Sequence, residues 1–374
     1  MTHVSGYIGT YTEGASKGIY RFSMNVKTGL IEEIRPAAEA KNPSFLALSP
    51  SGKFLYAVNE LGGGRGGTVS AYAVREDGTL KFLNRKNSGG ADPCHISINR
   101  DGTLAVTANY SSGTLTALPI GKGGSLGDAA QVIRWKGSGP NKERQEKAHA
   151  HSFTFTPDFS GGFACDLGSD RVMFYHVDPR ARKPLVPWER PFVSAPAGYG
   201  PRHGIFHPSG RVLYVLHELK SAVEVFTVTG DSARKRENSA APGRKSGVSG
   251  QKPEAPAFRQ TQIISTLPRG YRKPSLAAAI RIAAGGKFLY TSNRGHDSIA
   301  VFRILPGGSL EAAGITDCGG KHPRDFSPDP GGNFLLVLNK DSGNLVIFRI
   351  DRRTGLLKKE REYAAFSPTA IVFR

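Results

Sequence analysis

The chain has 374 residues, 39% of them apolar, with 46 Gly, 24 Pro, three Cys and a formal net charge of +19. No run approaches the ~18 consecutive apolar residues of a membrane helix, and the start, MTHVSGYIGTYTEG, lacks the basic and apolar stretches of a secretory leader. Cys94, Cys165 and Cys318 show no CxxC or Cys/His ligand spacing, which argues against a disulfide framework or zinc site and fits a reducing, cytoplasmic setting; no metal and no cofactor is expected.

The first predicted strands are GYIGTYT (6–12) and GIYRFSM (18–24). From residue 43 onward a unit repeats. Its copies are PSFLALSPSGKFLYAVNE (43–60), PCHISINRDGTLAVTANY (93–110), AHSFTFTPDFSGGFACDL (150–167), PRHGIFHPSGRVLYVLHE (201–218), LAAAIRIAAGGKFLYTSNR (276–294) and PRDFSPDPGGNFLLVLNK (323–340). Each is an alternating strand, a turn, a second strand and a polar residue. The turn carries Gly52, Gly102, Gly210, Gly286 and Gly332, with Phe159 in place of Gly in the 150–167 copy; the steps are 50, 57, 51, 76 and 46 residues. Seven positions after this origin stand Asn59, Asn109, Asp166, His217, Asn293 and Asn339, so the register holds in every copy.

A third strand follows each hairpin, at 68–74, 114–120, 171–177, 222–228, 298–304 and 344–350, and then a fourth, such as LKFLNRK at 80–86. Four short antiparallel strands per ~50 residues is the pattern of a β-propeller. The long step of 76 is a basic insertion, 230–255, which has too few apolar residues to pack and reads as a mobile surface loop. It holds six Lys/Arg and three Asp/Glu, leaving +16 of the +19 on the rest of the chain. The C-terminal SPTAIVFR (367–374) repeats a first strand and then stops, so it should pair with the N-terminal strands and complete a seventh blade. The fold expected is an all-β, seven-bladed β-propeller, one domain over 1–374.

In a propeller the first strand of each blade lines the axis, and its partner strand returns to the same end. Residues equally far from the hairpin turn should face each other there. Eight before the turn origin stand Ser44, Cys94, His151, Arg202, Ala278, Arg324 and, by the terminal match, Thr369. Eight after stand Glu60, Tyr110, Leu167, Glu218, Arg294 and Lys340. His95 and His203 come one residue further along the first strand, and His149, two before His151, shares its face if the strand extends that far. A lone charged strand end is ordinarily just solvated. Several cations converging on one concave mouth need an anion or carboxylate among them. Arg202, Arg294 and Arg324 suit phosphate or carboxylate. Glu218, expected opposite Arg202, is a candidate general base or Arg-orienting group, and His151 a proton carrier. No GxSxG elbow indicates a serine nucleophile.

At AHAHSFTF (148–155), GYGPRHGIFHPSGRVLYVLHEL (198–219), AAIRIAAGGKFLYTSNRGHDSIAVF (278–302) and HPRDFSPDPGGNFLLVLNKDSGNLVIF (322–348), the chain resembles the propeller-type lactonase family. That family includes bacterial 6-phosphogluconolactonases and fungal carboxy-muconate lactonising enzymes. The resemblance implies catalytic roles for His151, Arg202, Glu218 and Arg294, with His149, His203, Arg324, His95 and Lys340 as substrate-binding candidates. It implies hydrolysis of 6-phosphogluconolactone, a small anionic sugar lactone, in the pentose phosphate route. Two other readings compete: a muconate lactonising cycloisomerase, and a non-catalytic propeller scaffold. The scaffold is disfavoured because Trp135 and Trp188, the only two Trp, lie outside the repeated strands. The spread charge has no aromatic-rich basic stripe, so no nucleic-acid partner is expected, and no membrane.

Overall fold

The computed structural model describes residues 2–63, 65–229, 257–283 and 285–374. The 230–255 segment lies outside the described residues. Seven four-stranded antiparallel sheets form the blades of a ring. The blades are numbered here from the first complete hairpin; blade 7 joins the C-terminal strand Pro368–Phe373 to the N-terminal strand His3–Thr10. Ile8 faces Ile371 and Gly6 faces Phe373, so the two chain ends close the ring as the sequence indicates. No helix of the described residues is long and apolar enough to cross a membrane.

Each sheet is covered on both faces by its neighbours, and its sequence shows it. Second strands such as Leu104–Asn109, Val212–His217 and Phe334–Asn339 are buried at every position and read as nearly continuous apolar runs. The outer strands alternate toward solvent and carry charge, as in LKKEREYA of Leu357–Ala364, which blunts an exposed sheet edge. Trp188, expected outside the repeated strands, sits on the outer strand of blade 3, Leu185–Ser194, where its ring packs nearly parallel to those of Phe174 and Phe258, which stack on each other. The apolar side chains gather in clusters between adjacent blades. Leu104, Val106 and Leu115 meet Phe153 and Tyr175 between blades 2 and 3. Ile8, Phe22 and Met24 meet Leu336 and Ile347 between blades 7 and 6. A fully buried side chain of this size contributes about 1.5–3 kcal/mol.

Two recurrent polar contacts tie blade to blade. The Asn seven positions past the turn donates to the outer segment of the preceding blade: Asn59 to Lys41 O, Asn109 to Ser88 O, Asn293 to Thr266 O and Asn339 to Cys318 O. A Tyr on the second strand donates to a glycine in the turn after the third strand of the following blade: Tyr7 to Gly78 O, Tyr56 to Gly124 O, Tyr214 to Gly308 O and Tyr290 to Gly355 O. His217 breaks the Asn pattern and instead meets Glu224 within its own blade at 2.9 Å. Phe159, where the other turns have Gly, takes a φ of 60°, close to the 66–70° of Gly52, Gly102, Gly210, Gly286 and Gly332. The turn geometry is kept at the cost of a left-handed non-Gly residue.

The inner strands depart from simple pairing at one place. The register slips between Pro93 and His95, Ala150 and Ser152, Pro201 and His203, Ala277 and Ile280, and Pro323 and Asp325. Cys94, His151, Arg202, Ala278 and Arg324 are thus bulge residues. In four blades and at Ser44 the approach is the same: a left-handed residue, then Pro, then the residue in question. The left-handed residues are Asn42, Asp92, Gly200, His322 and Ser367. Pro is tolerated at the first position of a strand because no ladder hydrogen bond is asked of it. A bulge bends the strand and re-aims its side chain. The expectation that Arg202 stands directly opposite Glu218 is therefore corrected. Pro201 pairs with His217, Glu218 N donates to Gly200 O, and Arg202 has no cross-strand partner.

Candidate active site

Two bulge residues, the end of one second strand and one connection bring side chains onto a single carboxylate. Glu218, just past the second strand of blade 4, is 1% exposed. Its Oε2 lies 2.8 Å from Arg202 Nε, 2.9 Å from Arg294 Nη2 and 3.8 Å from His151 Nε2. Its Oε1 lies 2.6 Å from Arg144 Nη2. The four residues singled out as catalytic candidates, His151, Arg202, Glu218 and Arg294, thus meet in one cluster. Arg202 also donates through Nη1 to Ala278 O and lies 3.3 Å from His203 Nε2. Arg294 donates to Leu276 O and Ala277 O at 3.2 and 2.9 Å, fixing its fork against the blade 5 backbone.

A second group adjoins the first. Arg324 Nη2 donates to Tyr11 Oη at 2.8 Å and its guanidinium lies over the Tyr11 ring. Tyr11 in turn donates to Glu60 Oε2 at 2.9 Å, and Arg324 stands 4.0 Å from the same oxygen. His203 packs edge-on against both His151 and His95, with ring centroids 5.3 and 5.4 Å apart. His95 packs on Phe45 with ring centroids 4.3 Å apart and the planes tilted by 32°.

Two candidates fall outside the cluster. His149 stacks on Tyr110 and its Nε2 meets Glu146 at 3.0 Å. The strand starts at Ala150 and bulges at His151, so the period-two rule that would put both histidines on one face fails. Lys340 turns to Asp341 at 2.5 Å, on the rim beside His322. Arg144 escapes sequence reasoning because it lies in a connection that has no counterpart in the repeat. Tyr11 does have one: it follows the second strand of blade 7 as Glu60 and Glu218 follow theirs, and Tyr11 N donates to Ser367 O as Glu218 N does to Gly200 O, so the repeat itself marks the position.

Burial and charge set the protonation states. Burial alone would raise the Glu218 carboxyl, but the guanidiniums around it, Arg294 and Arg202 foremost and then Arg144, hold it well below the usual range. Burial, then the charge of Arg294, lowers Arg202 to about 10, so it stays cationic at neutral pH. Burial, reinforced by Arg202, depresses His151 and His203 well below 6.5; burial and Arg281 depress His95 to about 3. All three imidazoles are neutral at pH 7. Burial also raises the Cys94 thiol, which lies 3.8 Å from His151 Nδ1, so no thiolate forms there. Four guanidiniums (Arg144, Arg202, Arg294, Arg324) therefore face two carboxylates (Glu218, Glu60), an excess of two positive charges at the mouth. Among the described residues no group of three or more His, Cys, Asp and Glu is arranged to hold a metal.

The buried neutral imidazoles carry a stability signature. The unfolded chain binds protons at His151, His203 and His95 below about 6.5, and the native state refuses them. Stability is therefore expected to be complete above 6.5 and to fall as pH drops below it, by up to about 1.4 kcal/mol per pH unit for each imidazole. Urea unfolding midpoints at pH 7, 6 and 5 check this; a midpoint that holds steady or rises toward pH 5 contradicts it.

Comparison with known proteins agrees with this architecture. A family model described as lactonase, seven-bladed β-propeller, matches residues 5–373. The 6-phosphogluconolactonase of Bacillus subtilis strain 168 is 36% identical over 359 residues, spanning 96% of this chain and 94% of its own. A candidate 6-phosphogluconolactonase from Bacteroides fragilis NCTC 9343 has a solved structure that superposes with a TM-score of 0.85 at 34% identity, covering 100% of this chain and 98% of that one. The periplasmic gluconolactonase of Pseudomonas aeruginosa superposes with a TM-score of 0.87 at 31% identity, covering 99% of each chain.

Proposed function

The chain belongs to the seven-bladed β-propeller lactonase family, and on that premise we propose that it hydrolyses 6-phosphogluconolactone to 6-phosphogluconate at the cationic channel mouth. The carrying observation is the excess of two positive charges around a buried carboxylate. A phosphate monoester brings about −1.5 to −2 at neutral pH, which matches that excess; an uncharged lactone has no use for it. The product belongs to the oxidative pentose phosphate route, a cytoplasmic setting.

In the reaction, water oxygen bonds to the lactone carbonyl carbon, and the ring C–O bond then breaks to give a free hydroxyl and a carboxylic acid, which releases its proton to solvent as the carboxylate. Arg202 and Arg294 are both anchored on Glu218 Oε2, and the N–H groups they do not give to protein oxygens stabilise the oxyanion that develops on the carbonyl. Such groups are effective because they are already oriented before the charge appears. His151 takes the proton from the attacking water and returns it to the ring oxygen as that leaves. Its neutrality at pH 7 is what leaves a lone pair for the task. Glu218 has both oxygens occupied by cations, so it serves to position the guanidiniums rather than to accept a proton.

The test is a steady-state assay of the purified chain with freshly generated 6-phosphogluconolactone, product being coupled to its dehydrogenase and spontaneous hydrolysis subtracted. Glucono-1,5-lactone and a muconate lactone serve as parallel substrates. Enzyme-dependent turnover with kcat/KM at least about 10-fold higher on the phosphorylated lactone is expected, since one charge-assisted phosphate anchor supplies that much discrimination. Folded protein that accelerates only the muconate reaction, or none, removes this reading.

A further inference from the structure

Arg144 is the one guanidinium on Glu218 that no blade supplies. It stands in the connection between the outer strand of blade 2, Gln131–Arg134, and the inner strand of blade 3, Ala150–Phe155. That connection is anchored by a buried glutamine. Gln145, 0% exposed, donates to Leu167 O at 2.9 Å and to Asp170 Oδ1 at 2.8 Å, and accepts from Asn141 N. Asp170 also accepts from Gly198 N and Gly200 N, at the entry to blade 4. Asn141 caps the turn through Glu143 N and Arg144 N, both at 3.1 Å. The backbone under Arg144 is thus fastened to blades 3 and 4.

The side chain itself is placed differently from its neighbours. The Arg144 side chain is 33% exposed, against 4% for Arg202 and 9% for Arg294. It takes Glu218 Oε1 alone, while the other two guanidiniums share Oε2. Its remaining contact within the cluster is Tyr110 Oη at 3.2 Å. Arg144 is therefore the outermost cation of the cup, at the end of a long side chain, on a fastened base. Letting go of Glu218 would leave that carboxylate still paired to Arg202 and Arg294.

We propose that Arg144 is the residue that selects a phosphorylated lactone, by passing its fork from Glu218 Oε1 to the phosphate monoester of the substrate. The assignment rests on the lactonase reading above. The planar fork fits phosphate oxygens as it fits a carboxylate, so the exchange replaces one charge-assisted pair by another. The inward forks of Arg202 and Arg294 stay on the reacting carbonyl. An unphosphorylated sugar lactone offers Arg144 nothing in return.

The variant is Arg144→Gln in the full chain, with Arg144→Lys as the charge-retaining control, assayed on 6-phosphogluconolactone and glucono-1,5-lactone. The ratio of kcat/KM for the phosphorylated over the plain lactone is expected to fall about 10-fold or more, carried by KM, with partial recovery in Arg144→Lys. A merely structural role, acting through Glu218, would lower both substrates alike and leave the ratio intact, and that result overturns the proposal. Calorimetric binding of 6-phosphogluconate against gluconate separates this from the reaction itself. Wild type that binds the phosphosugar through Arg144 yet turns over no lactone sinks the reaction and keeps the site. Wild type that hydrolyses the phosphorylated lactone while Arg144→Gln keeps its preference sinks the Arg144 assignment alone. Wild type that neither binds nor reacts sinks both.

Discussion

Arg202→Lys is expected to lower kcat/KM on 6-phosphogluconolactone by about 10²- to 10³-fold, the loss typical of removing one oriented oxyanion donor, with the chain still folded. The substitution keeps the charge that balances Glu218 and discards the fork. In the native site the fork does several things at once. Nε holds Glu218, Nη1 reaches Ala278 O across the blade 4–blade 5 boundary, and the guanidinium plane lies beside His203. A single ammonium on a flexible stem cannot reproduce these directions together. Because the carboxylate keeps three positive neighbours, melting should shift little. Steady-state kinetics beside a thermal melt decide it. A variant with more than a tenth of wild-type kcat/KM would mean that Arg202 does not face the reacting carbonyl. Arg202→Ala is the harsher companion: it also leaves Ala278 O without its donor, so its activity loss should be at least as large and its melt visibly lower.

The position of Arg202 shows how far the sequence reaches. The turn origin and the Asn seven residues later were enough to align the blades, because those residues have fixed tasks: a left-handed turn, and a donor to the preceding blade. Counting eight back from the turn also found Cys94, His151, Arg202 and Arg324, all of which are bulge residues in the structure. The count succeeded although the pairing assumed for it was wrong. What the alternation of a strand cannot reveal is the extra residue of a bulge, and that is why period two alone puts His149 on the face of His151. The prolines at 93, 201 and 323 are the local signal, each placed just before the residue that the bulge re-aims.

Arg144 illustrates the opposite case. Nothing periodic points to it, since its connection has no equivalent in the other blades. Its place over Glu218 depends on Gln145 filling a buried polar slot between blades 3 and 4. Such a contact, reaching through Asp170 to the entry of blade 4, is invisible until the blades are assembled. Tyr11 differs: the repeat places it where Glu60 and Glu218 stand in their blades, yet its link to Glu60 and Arg324 exists only because the N-terminal strand closes the ring beside blades 6 and 1.

Glu218→Gln is the second substitution with a large expected effect, and it separates charge from shape. The amide fills the same volume, but its NH₂ must face an arginine N–H, donor against donor. The three guanidiniums lose the carboxylate that compensates them. Breaking a buried charge arrangement from one side costs about 3–5 kcal/mol, so the variant should melt well below wild type. Activity should fall about 10³-fold, since the forks that stabilise the oxyanion lose their common anchor. Because its native carboxyl is held below the usual range, Glu218 contributes to wild-type stability in full above about 4.5, and the contribution disappears only as pH drops through the lower native value. The same argument predicts a rescue. An anion entering the mouth of Glu218→Gln meets cations with no carboxylate to share, so inorganic phosphate should raise its melting temperature by more than it raises that of wild type. Glu218→Asp, which keeps the charge on a shorter stem, should melt nearer to wild type and gain less from phosphate. If Glu218→Gln melts like wild type, or gains no more from phosphate than wild type does, the carboxylate is not the internal counter-ion of this site, and the charge balance that supports a phosphorylated substrate goes with it.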